Sequence, residues 1–269
     1  MLRYKITKIV DKLPFSPMDI DRLLQASIKP TEDDLKMLHQ ITEDPNVWTS
    51  VMNAAGLCYG KNSEITTLED AIECCGIQPL VQLIGVAYAR KAIQEEFDSL
   101  KYLNEYLDHS EGIGIGCSIL SDFCNVARNQ KHIYVVAGLV HDVGRLAMIV
   151  ATNRTSAHVL GTLWDKMASV AVDEKATLNT NHCEVGSRIC QKWNFPPIIQ
   201  EAVLRHHSPL IGTDFNLAGA IIFMSHFLSV SDPSGDIIST FSNTAEILSY
   251  MKLTLDDFDK ARQVYKSRT

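Results

Sequence analysis

Residues 137–150 read AGLVHDVGRLAMIV, a run that is apolar except for His141, Asp142 and Arg145. Such a run is typical of a helix that lies in a protein core. Charged groups are rarely buried unless they are paired or bind a metal ion, because their removal from water is costly. The sequence therefore predicts a buried His-Asp pair whose partners come from elsewhere in the chain.

Histidines are concentrated in the part of the chain that surrounds this stretch. Imidazole and carboxylate groups are ligands that suit Zn, Fe and Mn. Adjacent residues on a helix project about 100° apart, so His141 and Asp142 do not chelate one ion as an i, i+4 pair does. They fit an ion in a groove between helices, or a position that bridges two ions. The same geometry applies to His206 and His207, although an HH pair near a helix end is also typical of a solvated position favoured by the helix dipole. Three other histidines have no partner by spacing: His39, His132 and His158.

Composition narrows the classes of partner and compartment. The 269 residues carry a net charge of −7 at pH 7, which does not favour nucleic acid or an anionic membrane surface as a general partner. The longest apolar stretch, 134–150, is interrupted by its three polar residues, and the N-terminus lacks the features of a signal peptide. We therefore expect no membrane span and a cytoplasmic protein. Seven scattered cysteines without CxxC spacing predict reduced, mostly buried thiols.

Helix signals recur along nearly the whole chain, and long alternating strands are absent, so we predict an all-α fold. N-caps are predicted at Asp44, Thr67 and Thr254, and helix ends at Gly56, Gly60 and Gly76. We predict a two-lobed helical bundle: an N-terminal lobe, residues 1–97, and a second lobe, residues 98–269, with a closing C-terminal helix. The predicted helices of the second lobe are 107–127, 132–151, 156–172, 182–193, 197–207, 215–229 and 255–266, with a loop at 230–243.

Six segments, in this order, carry a family resemblance. They are KLPFSPMDIDRLLQ (12–25), TEDDLKMLHQITEDPNVWTSVMNAAG (31–56), ITTLEDAIECCGIQPLVQL (65–83), LDHSEGIGIGCSILSDF (107–123), AGLVHDVGRL (137–146) and NHCEVGSRICQKWNFPPIIQEAVLRHH (181–207). The second lobe resembles the HD superfamily of metal-dependent phosphohydrolases. The whole chain, over roughly residues 11–230, resembles its regulatory branch, the HDOD family of bacterial signalling proteins. The resemblance implies an HD-type helical core in the second lobe.

The resemblance also implies a metal site. In the family's dinuclear members the ligands are a first His, the HD pair, an intermediate His, an HH pair and a late Asp. The segment AGAIIFMSHFLS (218–229) places His226 where the late Asp is expected, and histidine is also a metal ligand. Arg145 stands where the HD-GYP type carries a Lys and is the candidate for phosphate binding. The implied ligands are His109, His141, Asp142, His182, His206, His207 and His226.

The resemblance implies two divalent ions of Fe, Mn or Zn, about 3.5–4 Å apart. The GYP motif is absent, because SPLIGTDFN follows His207, so hydrolysis of a cyclic dinucleotide is not favoured.

Three hypotheses about function stay open. The first is a signalling HDOD protein with a retained metal site, whose partner is a protein or a small nucleotide. We expect it to form no complex with nucleic acid or membrane. Its oligomeric state is open. The second is a metal-dependent phosphohydrolase that acts on a nucleotide-like substrate. The third is a non-catalytic scaffold with a remnant His cluster.

Overall fold

The computed structural model describes residues 2–13, 31–60, 65–100, 103–152, 170–228 and 243–269. Helices dominate these residues, and the described strands form one small antiparallel pair, β1 (Leu210–Ile211) and β2 (Asp214–Phe215). The predicted all-α class is therefore confirmed. Three predictions fall wholly or mostly outside the described residues: the loop 230–243, the helix 156–172 and the opening segment 12–25.

The N-terminal part of the chain contains short helices with clear caps. They are α1 (Leu2–Lys12), α2 (Glu32–Thr42), α3 (Pro45–Tyr59), α4 (Leu68–Cys75) and α5 (Ile77–Phe97). Asp44 caps α3, and Thr67 caps α4 through a capping box, as predicted. Gly60 and Gly76 end their helices with φ of +86° and +83°, a backbone conformation that favours glycine. Gly56 lies inside α3, so the helix end predicted there is wrong.

The second part of the chain contains the longer, more deeply buried helices. They are α6 (Leu103–Phe123), α7 (Lys131–Val140), α8 (Val143–Thr152), α9 (Val170–Leu178), α10 (His182–Lys192), α11 (Pro197–Arg205), α12 (Leu217–Leu228), α13 (Thr244–Tyr250) and α14 (Leu255–Arg268). The predicted helix 132–151 is broken into α7 and α8, and the break is the turn at His141 and Asp142. This turn interrupts the helix at the two residues that the sequence singles out.

One continuous cluster of apolar side chains forms the core of both parts, from Ile6 in α1 to Tyr265 in α14. The first helix, α1, packs against α8 and α10, and Arg188 donates a hydrogen bond of 3.3 Å to the Thr7 hydroxyl. The predicted lobe boundary at residue 97 therefore does not separate two hydrophobic cores, and the division into lobes stays a prediction.

Two glycines allow α8 and α10 to touch through their backbones. A Cβ atom built on Gly144 would lie 2.0 Å from the carbonyl oxygen of His182 and 2.5 Å from the amide nitrogen of Gly186. Gly186 faces Gly144 in turn, with the amide nitrogen of Gly144 at 3.4 Å from its own built Cβ. This close approach holds the first residue of α10, His182, beside the turn between α7 and α8.

The stretch Arg128–Thr152, taken through the turn as 25 residues, has the length and apolar composition of a membrane span. The expectation that no stretch reaches that length is therefore wrong. The most apolar window of this stretch is 83% buried inside the protein, which is also the behaviour of central helices in a packed helical core. Helices α4 and α5, bent by 118°, pass the same test only as a pair. The cytoplasmic location stays a prediction.

Candidate metal centre

Five separate parts of the chain bring all seven predicted ligands into one cluster. Helix α6 carries the first histidine, the α7–α8 turn carries the HD pair, α10 begins with a histidine, the HH pair directly follows α11, and α12 carries the last histidine. The cluster consists of His109, His141, Asp142, His182, His206, His207 and His226. Residues almost 120 positions apart in sequence therefore meet, as the order of motifs predicts.

The six imidazoles form two adjoining groups, which meet where the ring centroids of His141 and His206 lie 5.1 Å apart. In the first group, the ring centroid of His141 lies 5.2 Å from that of His109 and 5.0 Å from that of His226, and the centroids of His109 and His226 are 5.3 Å apart. In the second group, the ring centroid of His182 lies 5.3 Å from that of His206 and 4.9 Å from that of His207, and the centroids of His206 and His207 are 4.3 Å apart. Each group has the spacing expected of side chains that surround a common point.

The Asp142 carboxylate lies between the two groups of histidines. Its Oδ2 atom is 3.5 Å from Nε2 of His141 and 3.8 Å from Nε2 of His109. Its Oδ1 atom is 3.4 Å from Nε2 of His182 and 3.6 Å from Nε2 of His206. Each oxygen therefore faces a different group, which is the arrangement of a carboxylate that bridges two positions.

Hydrogen bonds to backbone carbonyls fix the orientation of three of the imidazole rings. Nδ1 of His141 donates to the Gly138 carbonyl at 2.7 Å, Nδ1 of His206 to Val203 at 2.7 Å, and Nδ1 of His226 to Ile222 at 2.9 Å. A carbonyl oxygen can only accept, so the proton of each ring lies on Nδ1. The lone pair of Nε2 is then directed at the centre of the cluster, as in metal-ligating histidines whose other nitrogen is hydrogen-bonded.

The cluster is buried and its polar atoms lack sufficient partners. His141, His182 and His206 are completely buried, and His109 is the most exposed member, at 16% of its side chain. Within the described part of the chain, Nε2 of His141 and Nδ1 of His207 have no hydrogen bond. Buried polar atoms in that state are costly unless a ligand satisfies them. Imidazole and carboxylate donors at these separations fit a divalent metal ion.

Arg145 lies at the same centre, one turn after the HD pair. Its Nε atom is 2.7 Å from Oδ2 of Asp142, and its Nη2 atom is 3.5 Å from Nε2 of His207. The side chain is only 1% exposed, so its charge is compensated within the cluster. The role of phosphate binding that the family resemblance implies for Arg145 stays a prediction.

Burial keeps the first group of imidazoles neutral. Burial and the neighbouring His141 together lower the pKa of His109 to about 4. Burial also lowers the pKa of His141, and it lowers that of His226 well below its ordinary value, with added repulsion from His141 and His109. A metal ion binds the unprotonated imidazole, so this group is already in the state that coordination requires.

The second group is mixed, because burial and the neighbouring His206 lower the pKa of His207 well below its ordinary value, while His206 itself favours its charged form. Burial would lower the pKa of His206, but Cys183 and Asp142 raise it to about 10. Burial would raise the pKa of the Cys183 thiol, but His182 and His206 lower it to about 6. The pKa of Asp142 lies well below its ordinary value, because Arg145 and His141 outweigh the effect of burial. A metal ion at this group competes with protons, and the two negative groups favour the cation.

The sequence analysis missed two residues of this centre. Glu174 accepts hydrogen bonds from Nδ1 of His182 at 2.6 Å and from the backbone amide of His182 at 2.9 Å. Cys183 places its Sγ atom 3.5 Å from Nε2 of His182, although it was expected to be an ordinary buried thiol. No spacing rule links Glu174 to a histidine eight residues later, whereas the position of Cys183 directly after a predicted ligand was a usable signal.

Comparisons with known proteins agree with this fold. The family model of the HDOD domain matches residues 13–209. A curated relative, an uncharacterized protein of Treponema pallidum, is 19% identical over 217 residues, which are 77% of this chain. The chain spans only 40% of the length of that relative.

Solved structures share the fold over nearly the whole chain. A candidate phosphohydrolase of Shewanella amazonensis is 18% identical with a TM-score of 0.66, covering 98% of this chain and 93% of its own. An HDOD domain protein of unknown function from Geobacter sulfurreducens is 18% identical with a TM-score of 0.61, and the match covers 98% of this chain and 96% of that protein's chain. A candidate metal-dependent phosphohydrolase of Shewanella amazonensis is 17% identical with a TM-score of 0.58, covering 98% and 97%. At these identities the likeness establishes the fold alone.

Proposed function

The chain belongs to the HDOD family, and we propose that it is a signal-transduction member that has kept a dinuclear His/Asp metal site. The observation that carries this proposal is the position of Asp142, whose two carboxylate oxygens face two separate groups of histidine Nε2 atoms at 3.4–3.8 Å. An eroded site would be expected to have lost some of these donors. Here each donor that the dinuclear family pattern requires is present, with His226 in place of a carboxylate.

Each position has its own ligand set in this proposal. The first ion is held by His109, His141 and His226, and the second by His182, His206 and His207, with Asp142 shared. When bound, two divalent ions lower the pKa of a water molecule and stabilise charge on a phosphoryl group. The chain's own residues orient the donors: the Gly138, Val203 and Ile222 carbonyls fix three rings through Nδ1.

Elemental analysis of the purified protein tests the metal site. We expect about two divalent ions per chain, whichever of Fe, Mn or Zn is present. The variant His141→Ala removes a donor from the first position, so its metal content should fall to about one ion per chain. The variant Asp142→Ala removes a donor that both positions share, so its metal content should fall below about one ion per chain. The matched control is His39→Ala, because His39 is an exposed histidine that pairs with Glu69 at 2.8 Å, outside the cluster.

Two outcomes would contradict the metal site. One is a wild-type content below about half an equivalent after growth and purification with added metal. The other is an Asp142→Ala variant that folds normally and keeps the full metal content. In either case the His cluster would be a structural remnant, which is the scaffold hypothesis.

A second candidate function is metal-dependent phosphohydrolysis of a nucleotide-like substrate. It is favoured by Arg145, whose guanidinium reaches both Asp142 and His207 and so lies at the point where a phosphoryl group would bind. Two structural neighbours are described as candidate phosphohydrolases. In a regulatory protein this site needs only to bind a ligand. In an enzyme the site must also convert the bound substrate into product.

A hydrolysis assay separates the two candidates. The metal-loaded protein is incubated with a generic phosphodiester and with a panel of nucleotides. Activity that disappears in His141→Ala and persists in His39→Ala assigns phosphohydrolysis to the cluster. Activity that is unchanged in His141→Ala belongs to a contaminant, and the absence of turnover together with full metal content supports the regulatory proposal.

The remaining parts of the proposal concern partners and organisation. We propose that the protein binds a signalling protein or a small nucleotide, and that residues 1–97 form a lobe distinct from the metal-binding lobe 98–269. Thermal shift with the same nucleotide panel tests the small-molecule partner. A rise in melting temperature that is lost in Asp142→Ala would locate that ligand at the metal centre.

A further inference from the structure

We propose that Cys183 is a ligand of the second metal position, which makes this position a mixed nitrogen, sulfur and oxygen site that prefers zinc. The inference rests on the proposed metal site and adds to it a ligand that the family pattern does not assign. It also predicts that the two positions of the cluster differ in the metals that they favour.

The distances around His182 define the site. Its Nε2 atom lies 3.3 Å from Nε2 of His206, 3.5 Å from Sγ of Cys183 and 3.4 Å from Oδ1 of Asp142. Oδ1 of Asp142 is also 3.6 Å from Nε2 of His206. Three potential donor atoms of three chemical kinds therefore lie 3.3–3.5 Å from Nε2 of His182.

These separations are those of a tetrahedral zinc site. Bonds of about 2.0–2.1 Å to nitrogen and oxygen and about 2.3 Å to sulfur, at tetrahedral angles, place donor atoms about 3.3 Å apart for two nitrogens and about 3.6 Å apart for nitrogen and sulfur. The observed values of 3.3 and 3.5 Å agree with this expectation. His182, His206 and Cys183 would therefore need little movement to hold one ion, and Asp142 and His207 lie beside them as the further donors of this position.

The surroundings of Cys183 differ from those of the other buried cysteines. Cys117 and Cys190 belong to the apolar core, and Sγ of Cys117 lies 3.6 Å from the Ser225 hydroxyl. Cys183 instead belongs to a buried group of four possible ligands whose donor atoms all lie within 4.8 Å of one another, with His182, His206 and His207. Nδ1 of His207, a side chain that is about nine-tenths buried, has no hydrogen bond among the described residues. At least one potential metal-donor atom of this group is therefore without a hydrogen bond from the described residues.

The donor sets of the two positions imply different metal preferences. The first position offers three imidazoles and a carboxylate oxygen, from His109, His141, His226 and Asp142. The second adds a thiolate, a soft ligand that selects Zn and disfavours Mn and Mg. We therefore expect zinc to fill the position beside Cys183 first, while the other position accepts a wider range of ions.

Cobalt is the probe that reports a thiolate ligand directly. Metal-free protein is titrated with Co²⁺, and bound cobalt is measured by elemental analysis while the near-ultraviolet spectrum is recorded. We expect a thiolate-to-cobalt charge-transfer band that grows with one of the bound equivalents. The band should be absent from Cys183→Ser and Cys183→Ala and present in the control Cys190→Ala, a buried cysteine two turns later on the same helix.

A competition experiment gives a second readout. The Cys183→Ala variant should lose at least about tenfold in zinc affinity, since even partners beyond the ligands contribute that much. Its manganese affinity should change far less. Circular dichroism of each variant shows that it is folded before its metal binding is compared.

The outcomes separate this inference from the proposed function. Cobalt that binds the wild type without the band, or a band that survives in Cys183→Ala, overturns the role of Cys183 and leaves the metal site intact. A wild-type protein that binds no cobalt overturns both. Equal losses of zinc and manganese affinity in Cys183→Ala would show a structural effect of the cavity and overturn the ligand role.

Discussion

The interiors of the two parts of the chain are built from different chemistry. Within residues 31–60 and 65–100, Gln82 is the one buried polar side chain among those described, and the remainder of that interior is apolar. The interior of residues 103–152 and 170–228 instead contains six buried or nearly buried imidazoles around Asp142 and Arg145. Both interiors belong to one continuous apolar cluster.

The difference shows how stability and ligand binding are divided within one fold. Each apolar side chain removed from water stabilises the folded state by about 1.5–3 kcal/mol. The N-terminal interior is stabilised almost exclusively by this burial of apolar side chains. The polar interior has buried nitrogen atoms that lack hydrogen bonds, so a ligand that bound them would stabilise the folded state. Substitutions in the two interiors should therefore have effects that can be told apart.

The largest effect is expected where the backbones touch. In Gly144→Ala the new Cβ would meet the carbonyl oxygen of His182 at 2.0 Å, so α8 and α10 must separate. We expect a loss of about 3 kcal/mol or more in the free energy of unfolding, together with loss of bound metal. Urea unfolding measures the stability, and elemental analysis measures the bound metal.

The control for this variant is Gly112→Ala. Its new Cβ meets only the Tyr265 hydroxyl, the far end of a long side chain, at 2.9 Å. Equal behaviour of the two variants would show that the contact between α8 and α10 does not position the site.

A cavity in the apolar interior should lower stability without touching the site. Leu80 on α5 is completely buried, and Leu80→Ala should reduce the free energy of unfolding by about 3 kcal/mol. The metal content of the folded variant should equal that of the wild type, because Leu80 belongs to the apolar interior and is not one of the predicted metal ligands. A metal content that falls with the stability would mean that the two interiors are not separable in this way.

A buried histidine outside the cluster shows what an imidazole does without a ligand role. Burial lowers the pKa of His132 from 6.5 to about 4. Above pH 6.5 the ring is neutral in both states, so its contribution is constant. Between pH 6.5 and 4 the unfolded chain binds a proton that the folded chain excludes, so stability falls as the pH falls, by at most about 3 kcal/mol.

The variant His132→Leu isolates this contribution. Its free energy of unfolding should depend less on pH than that of the wild type between pH 7 and 4. Urea unfolding at several pH values provides the comparison. Two parallel pH profiles would show that His132 titrates alike in the folded and unfolded states, contrary to its burial.

The smallest effect is expected from the carboxylate behind His182. Glu174→Gln weakens the hydrogen bond to Nδ1 of His182, so metal affinity should fall about 10- to 100-fold, as for other partners of ligating histidines. Competition with a chelator measures the change, and Glu201→Gln on the surface of α11 is the control, with a side chain that is 55% exposed. Unchanged affinity in Glu174→Gln would show that the contact does not orient the ring.

Local features of this protein follow from sequence alone. The caps at Asp44, Thr67 and Thr254 were predictable because a capping hydrogen bond joins residues only two or three positions apart. The seven members of the His/Asp cluster were predictable for another reason. A buried pair of charged groups requires partners, and the order of motifs along the chain resembles that of a known family.

Tertiary structure alone decided how these residues act together. The break between α7 and α8, the place of Asp142 between two groups of histidines, and the contact of Glu174 with His182 are seen only in the folded chain, in which α8 and α10 approach each other at Gly144. That approach joins residues about forty positions apart through backbone contact, which no local propensity encodes. The sequence determined which donors are present, and the packing of the helices determined which of them share a position, because coordination depends on distances of a few tenths of an ångström.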